Sequence, residues 1–279
     1  TAGFFLASCG AGPQTKVTEP EKGTYALQFT GVEYVRADIT QGQGSSLNTT
    51  PVTIEAWVKT TTILLKTIFA RGSATGAVLF IDDGTNCATA GMAAFSDGDT
   101  VACSDAVIND GAWHHVAGVI SNSNHSIGTT HAECASGAGR TSIPHIDLYV
   151  DGSFQDCNPP SSGTYPAGID NGTNATAANP DGVTPPAGTN PGDFVGTIDE
   201  VRIWGTARTE GEIQQCRTQE LSVSGGTCGI DSAIIHGYWK LNEGTGLKAT
   251  DASGHGIDGS KYLTAGGDWD GGWVAGYPF

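Results

Sequence analysis

Basic residues are scarce in this sequence. It has 13 lysines and arginines against 29 aspartates and glutamates, so the chain of 279 residues carries a formal net charge of −16 at pH 7. Nucleic acids and anionic membrane surfaces are themselves negative and offer an acidic chain no counter-charge. We therefore expect no nucleic-acid partner. The negative charge is compatible instead with divalent cations and with the outside of a cell.

Long apolar segments are also missing. The longest apolar run lies near the N-terminus and has about half of the roughly 18 residues that a membrane-spanning helix requires. We therefore expect no membrane span. Charged residues make up only 15% of the chain, which contains 41 glycines and 12 prolines. This composition favours many short strands joined by turns, and a chain of this length often forms one all-β domain.

The zinc-binding spacing Cys-x-x-Cys is absent from the sequence. The seven cysteines therefore indicate disulfide bonds, which persist in oxidising compartments. We expect an extracellular or cell-surface protein. Six cysteines form three pairs that are close in sequence: Cys87 with Cys103, Cys134 with Cys157, and Cys216 with Cys228. Cys9 is left over, and other pairings stay open because spacing alone does not determine connectivity.

Apolar and polar residues alternate in many segments of the chain. In VTIEAWVK, residues 52–59, the apolar residues are two apart, which predicts a strand with one buried face and one face in water. Similar segments are residues 25–31, 33–39, 67–72, 76–82, 112–120, 146–152, 193–205 and 233–241. Such strands close their apolar faces on one another. The sequence therefore predicts an all-β, two-sheet antiparallel sandwich of the jelly-roll type.

Two segments depart from the strand pattern. Residues 206–213 predict one short helix, because Thr209 followed by Glu212 has the spacing of a capping box. Residues 158–193 contain seven prolines and show no periodicity. This second segment predicts a long irregular surface insertion in the sandwich.

Several phrases of the sequence are typical of one family. They are YALQFTGVEYV (25–35), VTIEAWVK (52–59), DGAWHHVAGV (110–119), LYVDG (148–152), GTIDEVRIWGTARTEGEI (196–213), GYWKLNEGTG (237–246) and DASGHGIDG (251–259). In these phrases, residues 24–262 resemble the laminin-G-like jelly rolls of the concanavalin A-like superfamily, which are two-sheet antiparallel sandwiches. The last two phrases usually open such a domain, which suggests a circular permutation or a second, incomplete copy. We expect an N-terminal segment and connector over 1–23 and the jelly roll over 24–279.

The resemblance also implies a structural Ca²⁺ site. Related sandwiches commonly hold calcium where a turn near the first strand meets the strand that resembles IDEVRIW, and the matching positions are the Gly31 carbonyl, Glu33 and Asp199. An acidic, glycine-rich chain can supply the oxygen ligands that calcium requires. The alternative is that Asp199 and its neighbour cap a strand and face solvent. A second, weaker oxygen-rich loop contains Asp251, Ser253, Gly254 and Asp258.

Catalytic patterns are missing from the sequence. Adjacent residues of a strand point to opposite faces, so His114 and His115 cannot converge on one metal ion or substrate. Glycosidases of this fold need paired carboxylates from a Glu-x-Asp-x-x-Glu strand, which is absent, as is Gly-x-Ser-x-Gly. The acids that remain as candidates lie in separate segments: Glu55, Asp199, Glu200 and Glu243. We therefore expect that the protein is not an enzyme.

Tryptophans can form a sugar-binding platform, because an aromatic ring stacks on flat apolar surfaces. Four of them alternate with apolar neighbours inside predicted strands, which favours a place in the core: Trp57, Trp113, Trp204 and Trp239. Trp269 and Trp273 lie among glycines near the end of the sequence. They either bind a ligand or cover the edge of the domain, and we expect the second.

The apolar N-terminal segment indicates a role in assembly. Leu6–Cys9 resembles a lipoprotein cleavage site, but cleavage before Cys9 would remove residues that this sequence retains. We expect instead that Phe4, Phe5 and Leu6 are donated as a strand to another copy, with Cys9 pairing between subunits. Burial in the chain's own domain is the alternative. The leading hypothesis is an exported, self-assembling structural subunit of a filament or surface array, and a monomeric glycan-binding or cell-adhesion module is the second.

Overall fold

The computed structural model describes most of the chain beyond the N-terminal segment. The described residues are 25–38, 51–71, 77–121, 145–158, 174–177, 193–222, 225–231 and 233–277. The candidate assembly residues Phe4, Phe5, Leu6 and Cys9 lie outside them, as do Cys134 and most of the predicted insertion. The expectations for those residues therefore stay predictions.

Within the described residues the chain forms sixteen strands and one helix. The strands are β1 Tyr25–Thr30, β2 Glu33–Asp38, β3 Val52–Lys59, β4 Lys66–Arg71, β5 Ala77–Ile81, β6 Met92–Ser96, β7 Val101–Val107, β8 Trp113–Ser121, β9 His145–Val150, β10 Ser153–Asn158, β11 Asn174–Ala177, β12 Val195–Trp204, β13 Ile235–Trp239, β14 Lys248–Ala249, β15 Gly259–Leu263 and β16 Trp273–Ala275. The helix, α1, spans Glu210–Cys216 and follows β12.

The strands form two antiparallel sheets of eight strands each. Sheet A has the order β10-β9-β8-β3-β12-β1-β16, and β13 also pairs with β12. Sheet B has the order β14-β15-β2-β11-β4-β5-β6-β7. The prediction of an all-β, two-sheet antiparallel jelly-roll sandwich is confirmed. Because β13 joins sheet A and β15 joins sheet B, the two C-terminal phrases belong to this sandwich and not to a separate copy.

The core lies between the two sheets and consists of alternate residues of each strand. In β3, the side chains of Val52, Ile54, Ala56 and Val58 point into the core and are fully buried. These residues are two apart, so successive core side chains lie on the same face of the strand. This is the alternation that the sequence predicts.

The sequence also predicts that the opposite face of β3 meets water, and that prediction is wrong. Thr53, Glu55 and Trp57 are buried as well, and Lys59 is the exposed residue of the strand. The reason is that residues far along the chain cover this face. The Trp57 indole N–H, for example, donates to the carbonyl oxygen of Arg217 at 2.7 Å, just beyond the end of α1.

Helix α1 begins where the sequence predicts. Thr209 is the N-cap residue, and its N–H donates to the Glu212 carboxylate at 2.8 Å while its hydroxyl oxygen accepts from the Glu212 N–H at 3.4 Å. This reciprocal pair satisfies two backbone groups at the start of the helix. The helix ends at Cys216, and Ile213 packs with Tyr149 on the outer face of sheet A.

Disulfide bonds secure two of the segments that cover the sheets. Cys87 is bonded to Cys103 and Cys216 to Cys228, with Cα–Cα distances of 5.7 and 5.3 Å. Both are pairs that the sequence predicts. Cys157 is also disulfide-bonded, with a partner that is not among the described cysteines.

The tryptophans follow the sequence prediction only in part. Trp57, Trp204 and Trp239 are all buried, but only Trp239 belongs to the core between the sheets, and the other two are covered on the outer face of sheet A. Trp269 is buried too and packs against Phe29 with a ring-centroid distance of 5.3 Å, while Trp273 packs against the edge of the core. Trp113 differs from the prediction. It begins β8 at the end of the sheet and stays partly exposed on the outer face.

Candidate functional site

Glu33, a predicted calcium ligand, closes the turn between β1 and β2. Its carboxylate accepts hydrogen bonds from the Thr30 N–H and from the Thr30 hydroxyl, both at 2.7 Å. Gly31, also in the predicted set, makes the turn with a φ of +98°, a conformation that favours glycine. These contacts give Glu33 and Gly31 a structural part in the turn.

Asp199 lies far from this turn. Strand β1 pairs with β12 so that Thr30 is opposite Val195, and Asp199 lies four residues further along β12, or about 13 Å away. The structure therefore does not bring Glu33 and Asp199 to one ion, which corrects the expected set of calcium ligands. In the part of the chain that the structure describes, no three His, Cys, Asp or Glu side chains are grouped so that they could hold a metal ion.

The second oxygen-rich loop is closed by its own hydrogen bonds. The Asp251 carboxylate accepts from the N–H groups of Tyr238, Ser253 and Ile257 and from the Ser253 hydroxyl, at 2.8 to 3.1 Å. A carboxylate has about four lone-pair positions, and all are used here. Asp258 accepts from the Asp251 N–H at 3.0 Å. The loop therefore acts as a structural turn, and Gly254 within it has a φ of +92°.

The two adjacent histidines have separate surroundings. His114 is hydrogen-bonded to Asp151 at 2.8 Å and lies 3.2 Å from Asp110. His115 is buried and packs edge-on against Trp57, with ring centroids 5.4 Å apart. Burial lowers the pKa of His115 to about 4. The two imidazoles share no described partner, in agreement with their alternation on the strand.

The candidate acids Glu55 and Glu200 are bound by one arginine beneath the surface of sheet A. Arg202 Nη1 lies 3.3 Å from a Glu55 oxygen, and its Nη2 lies 2.8 Å from a Glu200 oxygen. The Tyr238 hydroxyl donates to Glu200 at 2.6 Å, and the Trp204 indole donates to Glu55 at 3.0 Å. Both carboxylates are 1% exposed in these ion pairs, so neither is placed to reach a substrate.

A surface of sheet B carries a pair of tyrosines that no sequence pattern brings together. Val35 and Ala37 of β2 point into the core, so Tyr34 and Arg36 point to the outer face. Tyr34 lies opposite Tyr262 of β15, and the two rings are 5.4 Å apart between centroids with an interplanar angle of 31°.

Arg36 and Ser260 lie next to the tyrosines on the same face. They are opposite one another in the β2–β15 ladder, two residues along from the ring pair, and Arg36 is exposed. We call this surface, made of Tyr34, Arg36, Ser260 and Tyr262, the tyrosine patch. The sequence predicts the two residues of this patch that lie on β2, because Tyr34 and Arg36 alternate with apolar residues in EYVRAD. The pairing with Tyr262 had no such signal.

The tyrosine patch combines two aromatic faces with hydrogen-bonding groups on a rigid sheet. Tyrosine rings provide flat apolar area together with a polar hydroxyl. The Arg36 guanidinium offers several donors in a fixed plane, which suits hydroxyl or carboxylate oxygens. A flat ligand with one apolar face and polar edges therefore suits this surface.

The two sheets, the apolar layer between them and the helix after β12 define the protein as a jelly roll of the concanavalin A-like class. The family model described as the concanavalin A-like lectin/glucanases superfamily matches residues 33–214. The chain belongs to this family. No protein with a curated description matches the sequence.

Solved structures share the fold at low sequence identity. One is a protein from Bacteroides ovatus ATCC 8483, for which carbohydrate binding is a provisional assignment. It is 20% identical to this chain with a TM-score of 0.60, and the match covers 92% of this chain and 61% of that one. The chain thus spans about three fifths of that protein's length. A heptameric pentraxin of Limulus polyphemus is 13% identical with a TM-score of 0.47, over 70% and 82% of the two chains. Domains LG4-5 of mouse laminin α1 are 13% identical with a TM-score of 0.45, over 72% and 48%.

Proposed function

We propose that the chain is a glycan-binding jelly-roll module and that it binds through the tyrosine patch. The observation that carries this proposal is the cross-strand pair of Tyr34 and Tyr262 with exposed Arg36 beside it. The apolar face of a pyranose ring can stack on tyrosine. The hydroxyl groups at the edge of the same ring can accept hydrogen bonds from a guanidinium. The patch therefore matches both parts of a sugar.

Rigidity favours binding at this surface. Tyr34 and Arg36 belong to β2, which pairs with β15 on one side and with β11 on the other. Their backbone is held by these ladders, so ligand binding does not have to order this part of the backbone. The patch also differs from the buried acids around Arg202, which satisfy one another inside the protein.

Other findings are compatible with a module that works outside the cell. The disulfide bonds suit an oxidising compartment. No helix among the described residues is long and apolar enough to cross a membrane. Carbohydrate binding is also the provisional assignment of the Bacteroides ovatus protein, but one sandwich fold hosts many functions, so the proposal depends on the patch itself.

The self-assembling subunit that the sequence favours is not proposed further. Phe4, Phe5, Leu6 and Cys9 lie outside the described residues, so the hypothesis stays a prediction. Analytical ultracentrifugation of the chain with and without residues 1–12 remains the measurement for that hypothesis.

A glycan array tests the proposed function. We expect the wild type to bind at least one class of glycan and the double variant Tyr34→Ala/Tyr262→Ala to bind at least tenfold more weakly. Tyr25→Ala, which removes a partly exposed tyrosine from sheet A, is the matched control and should bind as the wild type does. Thermal melts establish that each variant is folded. The proposal is wrong if a folded wild type binds no glycan or if the double variant binds normally.

A further inference from the structure

Tyr277 occupies an aromatic surface on the outer face of sheet A. Its ring stacks on the indole of Trp57 with centroids 3.7 Å apart and an interplanar angle of 13°. Trp113 meets the same ring edge-on, at 6.1 Å and 81°. The Tyr277 N–H donates to Asp199 Oδ2 at 2.8 Å. Tyr277 thus fills a place bounded by two tryptophans and a carboxyl group.

The Trp57 indole is held independently of Tyr277. Trp57 lies opposite Asp199 on one neighbouring strand and opposite His115 on the other, in the middle of sheet A. Its indole N–H donates to the Arg217 carbonyl at 2.7 Å, and His115 packs against it edge-on. These contacts come from β8 and from the segment after α1. The flat face that Tyr277 covers therefore exists without Tyr277.

Asp199 presents an acceptor beside this indole. It lies at a register shift in β12, next to Glu200, whose φ is +52°. Its Oδ1 accepts from the Glu200 N–H at 2.9 Å, and its Oδ2 accepts from Tyr277. Asp199 is 2% exposed, and burial raises its pKa to about 8. If Tyr277 left, a carboxyl oxygen would become available next to the exposed face of Trp57.

The segment that places Tyr277 is short. It follows β16, which has three residues and pairs only with β1 at the edge of sheet A. Gly276 is the link, and a Cβ added there would clash with the Tyr25 carbonyl oxygen and lie 2.7 Å from Asp199 Oδ2. Any larger residue at 276 would therefore push the segment off the sheet. This provides a way to displace Tyr277 without removing its ring.

We infer that Trp57, Trp113 and Asp199 form a second binding site, for the pyranose ring of a sugar, which Tyr277 covers in this structure. A pyranose presents an apolar face to the indole and a hydroxyl donor to the carboxyl, as the phenol ring and N–H of Tyr277 do. The ligand class rests on the proposed function, but the site is on the other sheet from the tyrosine patch. A sugar competes with Tyr277, so its apparent affinity scales with the fraction of molecules in which Tyr277 has left.

The test uses the full chain carrying Tyr34→Ala/Tyr262→Ala, so that the tyrosine patch does not contribute. Methyl glycosides of glucose, galactose and mannose are titrated by calorimetry and by tryptophan fluorescence. We expect Tyr277→Ala in this background to bind a pyranoside at least tenfold more tightly than the background alone. Gly276→Ala, which retains the tyrosine ring, should produce a similar gain, and adding Trp113→Ala should remove most of it.

Three results would overturn the inference. They are a folded Tyr277→Ala variant that binds no pyranoside, a gain in binding that does not respond to Trp113→Ala, and binding of an acetyl-Gly-Tyr peptide without binding of pyranosides. Failure of the proposed function would have a different signature. In that case the double variant Tyr34→Ala/Tyr262→Ala would bind glycans as the wild type does, while Tyr277→Ala would still produce a gain.

Discussion

Arg202 and Glu200 form an ion pair of 2.8 Å in which both side chains are 1% exposed. The same guanidinium also reaches Glu55 at 3.3 Å and donates to the carbonyl oxygens of Cys216 and Gln219. One arginine thus links β12, β3 and the segment that follows α1. Because a buried charge is costly without its partner, removal of one member of this group should be strongly destabilising.

We expect Arg202→Met to destabilise the protein strongly. The substitution keeps much of the side-chain volume but leaves Glu55 and Glu200 buried without their cation, and breaking such a group costs about 3–5 kcal/mol. Urea denaturation at pH 7 measures the free energy of unfolding. Arg36→Met, at an exposed position on sheet B, should change it by less than about 0.5 kcal/mol. Equal effects of the two changes would contradict this account of the buried group.

Asp199 should make stability depend on pH between pH 7 and 8. Burial raises its folded pKa from an ordinary value of 3.8 to about 8, so in this range the folded protein holds a proton that the unfolded chain has lost. Stability therefore falls as pH rises, by at most about 1.4 kcal/mol per pH unit, until the folded pKa is passed. His115 adds only a small slope of the opposite sign near pH 7, because folding lowers its pKa from 6.5 to about 4 and the unfolded imidazole is already mostly neutral in this range.

Asp199→Asn removes the titrating group and should flatten this dependence. Urea denaturation at pH 7.0, 7.5, 8.0 and 9.0, for the wild type and the variant, provides the comparison. The difference between the two proteins cancels the groups they share. Asp268→Asn changes an exposed carboxylate and should retain the slope of the wild type. A variant with the same slope as the wild type would show that Asp199 is ionised in the folded protein.

Glu33→Ala should destabilise the protein equally with and without calcium. The change leaves the Thr30 N–H and hydroxyl without their acceptor in the β1–β2 turn, which costs about 1–3 kcal/mol. Melts of the wild type and the variant in EDTA and in millimolar Ca²⁺ provide the measurement. If calcium stabilised the wild type and not the variant, Glu33 would be a metal ligand after all, with partners other than Asp199.

The Cys216–Cys228 disulfide should stabilise the segment that covers Trp57 and Arg202. It closes a loop of 12 residues, for which chain entropy predicts about 3 kcal/mol. Replacing both cysteines with alanine should lower the urea midpoint, with a slope equal to or slightly above that of the wild type because the unfolded chain is less constrained. It should also raise hydrogen exchange at residues 217–222 before exchange in the core strands. Uniform exchange across the chain would show that this segment has no separate stability.

Much of the fold follows from local sequence patterns. The period-two alternation of β3 places its core residues correctly, and Thr209 with Glu212 marks the start of α1. Spacing also suggested the bonded pairs Cys87–Cys103 and Cys216–Cys228. These features are predictable because each depends on residues that are close in the chain.

The candidate sites are harder to predict from the sequence than the fold is. Tyr34 and Tyr262 are 228 positions apart and meet only because β15 pairs with β2 in one register. Trp57 was expected in the core, but its outer-face position and its contact with Tyr277 depend on where β16 lies. A shift of one residue in either pairing would turn these side chains to the opposite face.

The sequence by itself determined that this protein is an acidic, disulfide-bonded β-sandwich, because composition and alternation control which faces must be buried. Tertiary structure alone decided which polar and aromatic residues meet. Glu33 and Asp199 look like partners in the sequence, yet the Glu33 carboxylate is bonded to Thr30, which lies opposite Val195, and Asp199 is about 13 Å from Val195 along β12. The tyrosine patch and the site that Tyr277 covers both form because strand order brings distant segments together. No local sequence pattern records that order.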